Sequence, residues 1–186
     1  MNDAEDIFRL YNNYMFDSYL LKLGSSFVKK YLKIILRSKY CITLVAVDKE
    51  VIGFIAATLD SGRLLSGLYR NAEIFMEWIK GFLRHPGMVL KSLELMLYPF
   101  NTRVRNVNAE FLFITIEPPY RNKNLGSRLI KEVLALMRQK GIKRAKVSTQ
   151  VENEPVNTLL KKLGFRIEKR FTLFGKHMYL YSYELY

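Results

Sequence analysis

Apolar residues recur along this chain with two periods, and the switches between them lay out its elements. Ile7, Leu10, Tyr11, Tyr14, Met15 and Tyr19 fall at helical spacing and predict a helix over Ile7–Leu23. Gly24 breaks it, Ser25 or Ser26 can cap the next helix, and Phe27–Leu36 reads as that second helix with lysines outward. Ile42–Val47 and Val51–Leu59 read as two strands joined by a short turn at Asp48-Lys49-Glu50. Gly53, inside the second, signals a bulge or a close approach of another backbone. Phe111–Ile116 is an unbroken apolar, β-branched and aromatic run, expected to be a buried central strand. Pro118 and Pro119 stop it, because proline has no N–H to give a ladder. From Leu125 the pattern turns helical, with Leu125, Leu129, Ile130, Val133, Leu134, Leu136 and Met137 on one face and Gly141 as the stop. Ile142–Val151 predicts a further strand. The next element is a helix, capped by Asn153 or Glu154 ahead of Pro155 and ending at Gly164. Phe165–Leu173 and Met178–Leu185 predict a closing hairpin that turns at Phe174-Gly175-Lys176 and sets Tyr179, Tyr181 and Tyr183 on one face.

Between the first hairpin and the central strand, Ser61–Asn108 has a character of its own. Ile74, Phe75, Trp78, Ile79, Phe82 and Leu83 make one helix face, His85-Pro86-Gly87 breaks it, and Met88–Met96 predicts a second short helix. The expectation is a helical hairpin packed on the core. Its aromatics alternate with Lys80, Arg84, His85 and Lys91, which also suits a lid over an acceptor pocket, a peripheral membrane contact or a homodimer surface. The whole chain, 1–186, is expected to be one domain with 61–108 inserted.

Composition narrows the function. The net charge is +13, which favours anionic partners: nucleic acid, membrane or phosphorylated small molecules. No aromatic-basic motif of a known nucleic-acid module occurs, so nucleic acid is not expected. The single cysteine, Cys41, allows no internal disulfide and fits a reducing cytoplasm. Cys41, His85 and His177 are too few soft ligands for a zinc site, so no metal is expected. The acidic start, MNDAED, is unlike a signal peptide, and no apolar run approaches the roughly 20 residues of a membrane span.

The strand-to-helix turn Arg121-Asn122-Lys123-Asn124-Leu125-Gly126-Ser127 has the chemistry of a phosphate site. Amides at a helix start lack partners, the helix dipole favours negative charge, and Gly126 admits a ligand close to the backbone. It is neither a Walker loop nor the three-glycine dinucleotide fingerprint. The stretch resembles motif A of the GCN5-related N-acetyltransferases, the GNAT superfamily. Their R/Q-x-x-G-x-G/A loop corresponds to Arg121-x-x-Asn124-x-Gly126, with Asn124 for the first glycine; asparagine tolerates the left-handed region. Asn153 to Phe165 resembles their motif B, with Val156 where alanine is usual and Leu160 where tyrosine is usual. The likeness runs roughly from Ile42 to the C-terminus. The helical insertion resembles a subgroup associated with surface-polysaccharide clusters.

The resemblance implies an α/β (α+β) fold: a mixed, mostly antiparallel twisted sheet with helices on both faces. The family's usual first strand has no counterpart here, since the pattern begins with a helix. It implies acetyl-CoA as cofactor, with the pyrophosphate on the amides of Asn122, Lys123, Asn124, Leu125, Gly126 and Ser127 beside Arg121. The pantetheine arm would lie between two diverging strands against Ile114, Thr115 and Ile116, the Ile116 amide would meet the thioester oxygen, and Asn153 and Asn157 would contact the cofactor from the other side. Glu110, by its spacing to Arg121, matches the catalytic base of the histone-acetylating members; Glu117 is a weaker candidate. Leu160 cannot act as the acid, so a tyrosine of the last strand, Tyr181 first, is the candidate, unless the thiolate leaves unassisted. The implied function is acetyl transfer from acetyl-CoA to the primary amine of a small acceptor, an amino sugar being the first expectation. A protein or peptide N-acetyltransferase and a non-catalytic CoA-binding module are the alternatives.

Overall fold

The structure, a computed structural model, describes residues 3–15, 18–85 and 87–186. Among these residues six strands form one sheet: β1 (Cys41–Asp48), β2 (Glu50–Thr58), β3 (Ala109–Ile116), β4 (Arg144–Gln150), β5 (Arg166–Leu173) and β6 (Lys176–Glu184), in the order β1-β2-β3-β4-β6-β5. All neighbours are antiparallel except β3 and β4. The sheet is therefore the mixed, mostly antiparallel one expected, and β1 forms the edge where the family's first strand was not found in the pattern.

Among the described residues eight helices cover it: α1 (Asp3–Tyr14), α2 (Tyr19–Lys22), α3 (Ser25–Arg37), α4 (Ser61–Tyr69), α5 (Ala72–Arg84), α6 (Met88–Asn101), α7 (Leu125–Gln139) and α8 (Glu154–Lys162). On one face, α7 and α8 bury Val133, Met137 and Leu160 against Ile55, Phe111, Ala145 and Tyr181. On the other, residues of α1 to α5 close over Phe54, Ala56, Leu112 and Phe113. Gly141, at φ 75, ends α7 as expected. Gly53 is a close approach: a Cβ there would lie 3.0 Å from the Thr115 carbonyl oxygen.

Three expectations need correction. The helix over Ile7–Leu23 is two, because Ser18 caps α2 by accepting from the Leu20 amide and holds the Tyr11 hydroxyl at 2.7 Å; Phe16 and Asp17 lie outside the described residues. At α3 neither Ser25 nor Ser26 is the cap, since Gly24 takes that position at φ 110 without a side-chain bond. In the insertion, the pattern missed α4, capped by Asp60 on the Arg63 amide, and stopped α6 too early. Pro99 sits in the last turn of α6, where it forfeits one N–H, while the Thr102 amide and hydroxyl both donate to the Tyr98 carbonyl at 2.8 Å. Pro86, between α5 and α6, lies outside the described residues.

Helix α5 keeps half of its pattern. Of the expected apolar face Ile74 is buried and Trp78 and Phe82 pack partly buried beside it, while Phe75, Ile79 and Leu83 are exposed and Glu77 and Gly81 are buried. Glu77 accepts from Lys80 at 3.0 Å and Lys30 of α3 at 3.2 Å. Gly81 lets Leu23 approach so closely that a Cβ would lie 3.2 Å from its carbonyl oxygen. The lysines, Lys80 foremost, hold the Glu77 carboxyl down to about 2. Such a group stabilises the fold above its unfolded value, about 4.3, and loses that contribution as pH falls through the folded value. Glu77→Gln is expected to cost about 1–2 kcal/mol at pH 7. In thermal melts of both proteins the difference should shrink as pH is lowered from 5 towards 2.

Candidate functional site

β3 and β4 run parallel but pair only at Ala109–Phe111 with Ala145–Val147. The reason for their separation lies in β3. Ala57 pairs with Phe111 and Ala56 with Phe113, so Leu112 is an extra residue, a bulge that bends and twists the strand. Beyond it β3 stays with β2 up to the Ile116–Gly53 pair, while β4 stays with β6 to the Gln150–Met178 pair. A wedge opens between them. The Glu117 amide donates to the Ile52 carbonyl on the β2 side. Strand alternation therefore turns the amides of Ile114 and Ile116 the other way, into the wedge. The Thr115 hydroxyl is buried without a partner.

The wide end of the wedge meets the basic turn. Pro118–Tyr120 makes one 3-10 turn, and Asn122 and Asn124 both sit at φ 60, the left-handed conformation expected of Asn124. The Asn124 side chain makes no capping bond, so the first amides of α7, at Leu125, Gly126 and Ser127, have no partner inside the helix. Arg121 donates from Nε to the Ile116 carbonyl at 2.9 Å, and its guanidinium lies 5.6 Å from the Tyr14 ring centroid. The Lys123 ammonium lies 5.4 Å from the Tyr120 ring centroid. Gly126, expected to leave room for a ligand, is itself buried: a Cβ there would lie 3.3 Å from both Ile116 Cδ1 and Leu159 Cδ2. Its missing side chain serves the seating of α7 on β3 and α8.

Several expected site residues have structural partners. Asn153 caps α8 through the Val156 amide. Asn157 donates from Nδ2 to the carbonyls of Gln150 and Val151, both at 3.0 Å, and accepts the Tyr181 hydroxyl at 2.9 Å. Tyr181 is fully buried on the α7–α8 face, and burial pushes its phenol up. Its proton is committed to Asn157, so it is poorly placed to supply an acid. Glu117 is ion-paired with Arg9 at 2.7 Å, which explains why it is no free base. Leu160 is core.

Glu110 has a different setting. It projects from β3 to the opposite face from Tyr181, almost fully buried. The Tyr98 hydroxyl, at the end of α6, donates to Glu110 Oε1 at 2.5 Å and lies 2.9 Å from the Ser148 hydroxyl. Lys146 of β4, also buried, holds its ammonium 3.5 Å from Glu110 Oε2 and donates to the Thr102 carbonyl at 2.9 Å. Burial raises the Glu110 carboxyl above its ordinary value, with Lys146 and Tyr98 pulling the other way. Burial and the Glu110 charge push the Tyr98 phenol well up. Tyr98 and Ser148 were missed in the sequence. Ser148 shares a strand face with Lys146 by alternation, but Tyr98 falls beyond the expected end of its helix.

This cluster lines one end of a cavity of about 320 Å³ between the sheet and the inserted helices. Leu64, Leu68, Trp78 and Phe113 are among its walls, and Tyr19 of α2 stacks on Phe174 of the β5–β6 turn at 4.7 Å across its side. Among the described residues no cluster of histidine, cysteine, aspartate or glutamate could hold a metal, and no helix is long and apolar enough to cross a membrane.

Comparison with known proteins gives the same architecture. A family model described as Acetyltransferase (GNAT) family matches residues 4–165. A provisionally assigned ribosomal protein bS18-alanine N-acetyltransferase of Bacillus subtilis (strain 168) is 32% identical over 59 residues, 32% of this chain and 39% of its own length. Glucosamine 6-phosphate N-acetyltransferase of Trypanosoma brucei brucei is 29% identical over 92 residues, 49% of this chain and 60% of its own length. The matches thus span less than two thirds of either relative. Arabidopsis thaliana NAA60, solved with acetyl-CoA, superposes with a TM-score of 0.62 at 16% identity, covering 98% of this chain and 93% of that one.

Proposed function

The chain belongs to the Acetyltransferase (GNAT) family, and from that membership and the site's geometry we propose that it is an acetyl-CoA-dependent N-acetyltransferase acting on the primary amine of a small acceptor in a ternary complex. The observation that carries the proposal is the meeting of two features at one place: a wedge between β3 and β4 with the Ile114 and Ile116 amides outside the strand ladder on one side, and a buried carboxylate–phenol pair at its narrow end.

The residues fit the cofactor. The amides of Asn122 to Ser127 and the charges of Arg121 and Lys123 suit a pyrophosphate. The Ile114 and Ile116 backbone groups in the wedge suit an amide-bearing arm laid along β3 as an added strand, and the orphaned Thr115 hydroxyl marks polar capacity on the same strand. When bound, acetyl-CoA supplies the thioester carbonyl to be attacked. The amide of Ile116, turned into the wedge, is the donor offered to that oxygen.

An alkylammonium has a pKa near the lysine value, about 10.4, and must lose a proton before it attacks. Tyr98 is placed to relay it. Its hydroxyl oxygen accepts the proton from the amine as its own passes to Glu110 Oε1 along the 2.5 Å hydrogen bond. The raised carboxyl of Glu110 makes it a better acceptor than an exposed glutamate. No side chain is needed for the departing thiolate, whose thiol pKa of about 8.5 makes it a tolerable leaving group.

Calorimetry with coenzyme A, then thiol release from acetyl-CoA over a panel of amines, amino sugars and peptides, tests the reading. Coenzyme A uptake without turnover on any acceptor would favour a non-catalytic binding module. Tyr98→Phe is expected to lower kcat by about a hundredfold or more with coenzyme A affinity unchanged, because the relay is lost while the wedge is intact. A second reading, acetylation of a protein at an alanine, draws on the name of the Bacillus subtilis relative. Preferential turnover of peptides would favour it. The unpaired Cys41 supports a cytoplasmic setting.

A further inference from the structure

We infer that the acceptor is a small primary amine bearing an apolar arm, aliphatic or aromatic, which lies in the cavity beneath α4, α5 and α6 with its nitrogen at Tyr98 and Glu110. The inference rests on the acetyl-transfer reading and names the acceptor class that reading leaves open.

Three observations lead to it. Among the described residues lining the cavity, Glu110 is the one charged side chain; no lysine or arginine faces in, despite a net charge of +13. A phosphorylated sugar would have to shed its water there with no cation to meet it, at a large cost. Second, the lining is mostly apolar, and its charged group sits in one hydrogen-bonded cluster of Glu110, Tyr98 and Ser148. The Ser18 hydroxyl at the cavity edge is already engaged by Tyr11 and the Leu20 amide. The other hydroxyls of the lining, on Ser61, Tyr19, Tyr31 and Tyr69, carry no charge, so an ammonium is met at the Glu110 end and an apolar arm by most of the wall. Third, the mouth is apolar. Tyr69 and Phe75 line the cavity while each stays 51% exposed, and Met76, Ile79 and Leu83 continue the apolar surface along the outside of α5. This face is outward because Glu77 is held inward by Lys30 and Lys80, so the paired charge sets the character of the entrance.

Volume sets the size. About 320 Å³ corresponds, at a water's share of liquid volume, to on the order of ten non-hydrogen atoms. A phenethylamine or a hexylamine fits that space. A carboxylate at one end suits the cationic nitrogen of such an amine and has no use for the tail of a longer acyl group, which would enter the same space with nothing to pair.

The test is a series of straight-chain amines from propylamine to hexylamine, with phenethylamine and glucosamine 6-phosphate, at saturating acetyl-CoA. Each added methylene is expected to raise kcat/KM about fourfold, roughly sixtyfold across the series. Phenethylamine should exceed glucosamine 6-phosphate by about a hundredfold or more, since the latter buries a phosphate without a cation. Leu65→Phe, which fills the cavity from α4, should flatten the series while coenzyme A uptake by calorimetry and the circular dichroism spectrum stay as they are. A flat series in the parent protein, or preference for the phosphorylated sugar, would overturn the inference while acetyl transfer itself still stood. So would faster transfer from hexanoyl-CoA than from acetyl-CoA to propylamine, which would assign the cavity to the acyl chain. Preference for a peptide beginning with phenylalanine over phenethylamine would overturn it in favour of a protein acceptor. Failure to take up coenzyme A would remove the acetyl-transfer reading, and this inference with it.

Discussion

Glu110→Gln is expected to lower kcat/KM at neutral pH by about 10²- to 10⁴-fold, the usual span for a lost general base. The amide keeps an acceptor oxygen for Tyr98, so the relay geometry survives while the proton has nowhere to go. Burial sets the sign of the pH dependence. The Glu110 carboxyl stands above its ordinary value because the charged form is desolvated, with Lys146 and Tyr98 offsetting part of that. Activity of the parent protein should therefore fall as pH is lowered through that raised value, an acid limb above the ordinary glutamate figure of about 4.3. The variant should lack this limb and recover part of its rate at high pH, where more of the amine is already free base. Stability runs in the opposite sense. A glutamate whose folded value is raised favours the fold when protonated, and that contribution is lost as pH rises through the folded value. The charged form of Glu110 is thus a burden on the fold, eased by Lys146. Lys146 in turn keeps the Thr102 carbonyl and hydroxyl when Glu110 is neutralised, so the variant should remain folded by thermal melting. An acid limb shared by parent and variant would remove Glu110 from the base role.

Gly126→Val is expected to weaken coenzyme A uptake by about tenfold to a hundredfold. Even a Cβ at Gly126 would sit 3.3 Å from Ile116 Cδ1 and from Leu159 Cδ2, and valine adds two methyl groups beyond it. Overpacking of this kind costs about 1–3 kcal/mol. The strain falls where it matters most, because Ile116 ends β3 at the wide part of the wedge and Gly126 lies among the unpaired first amides of α7. Relief requires α7 to move off β3, which carries those amides away from the wedge. Gly126→Ala is the milder control, since both neighbours are side-chain ends with room to shift. Titration calorimetry on the three proteins reads the effect directly. Unaltered affinity in the valine variant would place the cofactor elsewhere.

Most elements were legible from periodicity because each strand and helix here has one apolar face or an unbroken apolar run. The strand-to-helix turn was legible too, down to Asn124 taking the left-handed conformation of a missing glycine. The parts that escaped share a physical cause: they depend on partners distant along the chain. Nothing in the run from Ile74 to Leu83 says that Glu77 finds Lys30 of α3 and takes the buried side. Pro99 reads as a stop, yet at a helix end its missing N–H costs little, and the extra turn is what delivers Tyr98 to Glu110. Asn157 and Tyr181 looked like chemistry because polar groups near a cofactor motif invite it. They satisfy each other and the end of β4 instead.

The extra residue at Leu112 reaches further than its size suggests. In an unbroken strand Glu110, Ile114 and Ile116 would have equal parity and project from the same side. With Leu112 inserted, Glu110 projects towards the insertion while Ile114 and Ile116 pack with α7 and α8. Loss of a single codon there would leave the chain to choose: keep Ile114 and Ile116 in phase and turn Glu110 into the wrong layer, or the reverse. At that one site a lineage descending from this protein can change the letter and not the count.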